Sequence, residues 1–114
     1  RQLAALAEEV GDQQRLQRAY GLIVELDPFD ALPHQALGRL ALASGDHVLA
    51  AREFEVTLAV GPVDRVSAHV DLAESYFLAG RSDEAKREVI AALEIAPTYE
   101  RAQELLLRVV EAGL

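Results

Sequence analysis

The three histidines of this 114-residue chain, His34, His47 and His69, are its best candidates for holding a metal or moving a proton. None stands four residues from another, the spacing that turns two imidazoles toward one zinc ion on a helix. His69 has Asp71 and Glu74 close by in sequence, but offsets of two and five residues place those carboxylates on other faces of a helix. Ser67, Ser75 and Ser82 have no histidine at a helical spacing that would make a nucleophile and its base. Phosphate-cradling glycine loops, calcium loops and nucleophile elbows are missing from the sequence, as is cysteine. Glu8-Glu9 and Asp83-Glu84 fall in helix ends or first turns, where acids are favoured or simply solvated. The expectation is a protein without catalysis, cofactor or metal.

Charge and composition narrow the partners. Nineteen acidic residues against 11 basic leave a net charge of −8, a field that repels phosphate backbones and argues against nucleic acid. Hydrophobic residues make up 51%, enough for a modest core, while aromatics are only 5%. The apolar content is mostly Ala, Leu and Val, which suits closely packed helices. No apolar run approaches the roughly 20 residues that span a bilayer, so membrane insertion is not expected. Nor does a secretory signal pattern open the chain. Lack of cysteine does not separate cytosol from periplasm. A soluble protein is expected, its compartment open with the cytoplasm favoured.

The elements that carry these residues all read as helices. Leu3, Leu6, Ala7 and Val10 recur at i, i+3, i+4, i+7, and Gly11-Asp12 is expected to break that helix and cap the next. Leu16, Ala19, Tyr20, Ile23 and Leu26 form the second stripe, stopped at Asp27-Pro28 because a residue before proline leaves the α region. Asp30 caps a helix that has Pro33 in its first turn and turns Leu37, Gly38 and Ala41 inward. It turns at Ser44-Gly45-Asp46 and returns through Ala50, Ala51, Phe54 and Leu58 to Gly61-Pro62. A third pair starts at Asp64, carries Leu72, Ala73, Tyr76 and Phe77, turns at Gly80 with Ser82 as cap, and returns to Pro97. A last helix, from about 98 to 112, has no return partner, and its Leu107 fits neither its charged nor its apolar stripe.

Residues recur with these helices. Pro28, Pro62 and Pro97 are spaced 34 and 35 apart, as are Gly11, Gly45 and Gly80, then Tyr20, Phe54 and Val89. Such a period marks stacked units, each too small to bury its own apolar face. Leu37-Gly38, Gly45, Ala50, Phe54 and Pro62, echoed by Leu72-Ala73, Tyr76, Gly80, Ala85, Ala92 and Pro97, resemble the tetratricopeptide repeat. Two departures stand out: the usual first-helix aromatic is His34 in one unit and His69 in the next, and the first-helix tyrosine position is Ala7 and Ala41.

The resemblance implies an all-α, right-handed superhelix of about seven antiparallel helices. One domain, 1–114, divides into a partial repeat at 1–28, repeats at 29–62 and 63–97, and a terminal helix at 98–114, the whole read as a piece of a longer protein. In proteins of this kind the first helices line a concave surface. Carried over position by position, that surface is Gln35, Arg39 and Leu42, then Val70, Glu74 and Phe77, then Arg101, Glu104 and Arg108. Phe77 is the expected apolar anchor, with Arg39, Arg101 and Arg108 able to pair with a carboxylate or backbone carbonyls. The chaperone-tail binders of the family hold a terminal carboxylate with a Lys/Asn clamp, and this chain has no asparagine and only Lys86. The function implied is a scaffold for a peptide or partner protein. Its rival is a self-associating or spacer module of a larger protein, one that includes an enzyme domain in a further variant.

Overall fold

Aspartate side chains start three of the helices. Asp30, Asp46 and Asp64 accept hydrogen bonds from the backbone N–H of Leu32, Leu49 and Ser67 at 3.1, 3.2 and 3.0 Å, satisfying donors that a helix start leaves unpaired. A computed structural model of the chain describes residues 2–113, with side chains from 11 to 113. Six helices follow in order: α1 Gln2–Leu26, α2 Ala31–Ser44, α3 His47–Val60, α4 Arg65–Leu78, α5 Ser82–Ile95 and α6 Glu100–Ala112. No strand occurs among the described residues.

The expected break at Gly11-Asp12 is absent, which reduces seven helices to six. Gly45 and Gly80, the counterparts of Gly11, take left-handed φ values of 87° and 82° and close their helices, whereas Gly11 keeps a negative φ. In those turns the N–H of Asp46 reaches the carbonyl of Ala41, and that of Arg81 reaches Tyr76, at 2.9 and 2.8 Å. Around Gly11 the helix runs on, because each added residue gains a backbone hydrogen bond against a glycine penalty of only ~1 kcal/mol. Asp12 therefore caps nothing and pairs with Arg15 at 3.4 Å. The stripe of Leu3, Leu6, Ala7 and Val10 lies outside the residues whose side chains are described.

Two smaller corrections concern helix starts. Ser82 is the first residue of α5 rather than its cap, and Arg81 in the cap position makes no side-chain cap bond. Instead Arg81 pairs with Glu84, which sits with Asp83 in the first turn facing the positive helix end. The last helix begins at Glu100, with Tyr99 at its N-cap.

Short links force each helix back along its predecessor, and α1 to α6 pack in series. Among second neighbours, α2 touches α4 and α4 touches α6, while α3 and α5 do not meet. Even-numbered helices therefore crowd together on one side and odd-numbered ones splay apart on the other. That asymmetry curves the stack, with α2, α4 and α6 on the inside.

Helix crossings decide which residues must be small. A Cβ on Gly38 would lie 2.6 Å from the Phe54 ring, so glycine is required for α2 to approach α3. One unit later the aligned residues are Ala73 and Val89, both fully buried, and a bulky Tyr76 stands on α4 where α2 has Ala41. The Tyr76 hydroxyl donates to Glu55 of α3 at 2.7 Å, and the Arg81 guanidinium lies 4.4 Å from its ring centre. Burial first, and the Glu55 carboxylate second, push the Tyr76 phenol well above its ordinary pKa.

The histidines that replace the aromatic are structural. His34 Nδ1 meets Glu53 at 3.0 Å and its Nε2 meets the Pro28 carbonyl at 3.1 Å. His69 repeats the arrangement 35 residues on, with Glu88 at 2.7 Å. Each ties the first helix of a unit to the second. Among the described residues no three His, Asp or Glu side chains converge to hold a metal ion.

Candidate functional site on the inner face

The inner helices bring most of the carried-over residues onto one wall. Between α2, α4 and α6 lies a groove of ≈ 420 Å³, lined by Arg39, Leu42, Ala43, Asp71, Glu74, Leu78 and Arg101. Further along, Glu74, Arg101, Glu104 and Arg108 line a smaller crevice between α4 and α6. Gln35 lies at the other end, in a separate groove between α1 and α2.

At the centre is Asp71, a residue the sequence reading set aside. It is only 2% exposed, yet it holds two arginines from different helices. Arg39 of α2 donates through Nε and Nη2 at 3.4 Å, and Arg101 of α6 approaches the other carboxylate oxygen at 2.7 Å. Arg101 also donates to Glu74 at 2.9 Å, and Arg39 donates to the Ser67 hydroxyl at 3.4 Å. Burial works against the charge on Arg101, but the bonds to Asp71 and Glu74 outweigh it and raise its pKa. A buried carboxylate without these partners would be strongly disfavoured.

This network alters the expected chemistry. The expectation that Arg39 and Arg101 are open to a ligand carboxylate is modified: both already serve Asp71 and keep only part of their donors facing water. With Arg108 they are three cations, matched by Asp71, Glu74 and Glu104. The wall is charge-balanced, and Leu42 and Leu78 supply its apolar surface.

Two other residues change role. Val70 is fully buried in the core, at the floor of the α4–α6 crevice beneath the charged side chains. Phe77 is partly buried against that core, with the Arg108 guanidinium 5.2 Å from its ring centre. It stands under the wall rather than proud of it. Leu107, which fitted no stripe, is exposed. Asp71 could have been found by a pattern across units: arginines stand 32 residues before it and 30 after, close to one repeat each way.

No protein-family model matches the chain, and no curated protein sequence matches it. Solved structures do. The first tetratricopeptide-repeat domain of Spaghetti (RPAP3), bound to the HSP90 peptide SRMEEVD, has a TM-score of 0.82 at 15% identity, over 97% of this chain and 87% of that one. The fold is that of the tetratricopeptide repeat. The Yersinia enterocolitica type III secretion chaperone SycD, in complex with a peptide of the translocator YopD, scores 0.79 at 20% identity over 99% of this chain and 91% of its own. A mutant of the Thermobaculum terrenum O-GlcNAc transferase scores 0.76 at 26% identity, but this chain spans only 20% of it. Among the described residues, no helix is long and apolar enough to cross a membrane.

Proposed function

We propose that this chain is a non-enzymatic tetratricopeptide-repeat scaffold that holds a peptide segment or partner protein against α2, α4 and α6. The observation that carries this reading is the groove itself, a wall shared by three helices with Leu42 and Leu78 between half-exposed arginines. The peptides in the related Spaghetti and SycD structures support it. In this reading the repeats run 29–62 and 63–97, with a partial unit at 1–28 and a terminal cap at 98–114, and the stack winds right-handed. The contact set is Gln35, Arg39, Leu42, Glu74, Phe77, Arg101, Glu104 and Arg108, to which Leu78 is added.

A charge-balanced wall selects a ligand with an apolar side chain for Leu42 and Leu78, flanked by polar groups, rather than one that is uniformly acidic. An SRMEEVD-type tail is disfavoured, since the chain has no asparagine and its lysine, Lys86, lies on α5 away from the groove. A modest affinity follows from so short a wall. A displayed library of random peptides tests the proposal. Selected sequences should lose binding at least tenfold on Leu78→Glu or Arg39→Ala, with helical circular dichroism retained. Capture by both variants equal to that by the unmodified chain refutes the groove.

A further inference from the structure

The groove between α1 and α2 lacks the helix that the repeat register assigns to it. Its walls include Leu16 and Tyr20 of α1 with Leu32, Gln35, Ala36 and Arg39 of α2, around ≈ 620 Å³. One unit on, Leu16 and Tyr20 become Ala50 and Phe54, both fully buried. Leu32 and Ala36 become Ser67 and Asp71, both buried and both touched by Arg39 of α2. These walls thus stand at positions that a first helix covers in the next unit. Here Leu16 is 46% and Leu32 59% exposed, and Ile23, where the next unit buries Thr57, is 42% exposed.

The missing cover is present in the sequence. Residues 3–10 align with 37–44 of α2 and carry Leu3, Leu6, Ala7 and Val10 at helical spacing. Their backbone, however, continues α1 past Gly11, and an unbroken helix cannot lie against its own flank. We propose that residues 3–10 of a second copy fill this groove, in a reciprocal exchange that leaves α1 whole in both copies. The result is a closed two-fold dimer with the same contact made twice. The facing residues agree: where α2 and α4 pair Arg39 with Asp71, the aligned positions are Ala5 and Ala36, so that pair meets without needing an ion pair.

Because the chain has no cysteine, single cysteines report the contact cleanly. Ala5→Cys protein is mixed with Ala36→Cys protein and treated with a short bis-maleimide. A covalent heterodimer is expected, and light scattering of the unmodified chain should give twice its 12.4 kDa. Leu16→Glu, a half-exposed site, should return the single-chain mass with helicity kept. Gly11→Ala should leave the dimer mass unchanged, because the exchange needs α1 continuous at that point and alanine favours the helix. If cross-linking appears only within an Ala5→Cys/Ala36→Cys double variant of single-chain mass, the segment folds back on its own groove and the exchange is wrong. Absence of cross-linking in both preparations overturns it equally.

Discussion

The two complete helical pairs solve the same packing problem in opposite ways. In α2–α3 the bulky side chain is Phe54 on the second helix, and Gly38 and Ala41 on the first make room for it. In α4–α5 the second helix offers Val89, and the bulk is Tyr76 on the first, beside Ala73. The volume at the crossing is shared between helices, so neither position alone is constrained to be large. What is constrained is their combination. This explains how a period of 34 to 35 residues survives although its aromatic changes place.

The difference can be broken most severely at the rings. Phe54→Ala should cost about 3–5 kcal/mol in urea unfolding, because the ring is fully enclosed and its loss leaves a cavity against Gly38. Val89→Ala, equally buried but smaller, should cost ~2 kcal/mol. Equal losses at the two sites would mean that the pairs are not packed as described.

Gly38→Ala sharpens the contrast. Alanine gains ~1 kcal/mol of helix preference, yet its Cβ would sit 2.6 Å from a ring with nowhere to move, so a net loss of about 1–3 kcal/mol is expected. Combining it with Phe54→Val removes the ring that the new Cβ would meet, and the double variant should be more stable than the sum of the two single losses predicts. Strict additivity in a double-mutant cycle would rule out the shared-volume account.

The histidine ties differ by degree. Glu53→Ala should cost about 1–3 kcal/mol, since His34 is nearly enclosed and also holds the Pro28 carbonyl. Glu88→Ala should cost about 0.5–1.5 kcal/mol, because His69 is more open. The reverse order in thermal melts would show that enclosure is not what sets their worth. An effect of the same size as Glu88→Ala is expected for Tyr76→Phe, which removes one hydrogen bond to Glu55 worth ~1 kcal/mol and leaves the packing in place.

Much of the fold was legible because its signals are local. Asp30 and Asp64 mark helix starts, Gly45 and Gly80 mark ends, and apolar spacing gives five of the six helices their faces. The error at Gly11 shows the limit. Glycine permits a left-handed turn but does not impose one, and without a neighbouring helix to hold the hairpin the continuous helix is the cheaper state. At the inner face, Arg39 and Leu42 of α2 and Arg101 of α6 line one groove, while Gln35 lies in another. The places of Val70 and Asp71 were not legible, because spacing along one helix ranks its faces but does not say what stands opposite.

Residue order alone determined that this chain is all-helical, that its units repeat, and that they must stack, since none can cover its own apolar face. Tertiary structure decided which charges are free. Asp71 meets Arg39 and Arg101 only because curvature brings helices from three successive units together, over separations of about 30 residues that local rules do not reach. It also decided that α1 is one continuous helix, leaving the groove between it and α2 open. Short-range preferences act within a turn or two of helix, whereas burial and charge pairing depend on which surfaces finally meet.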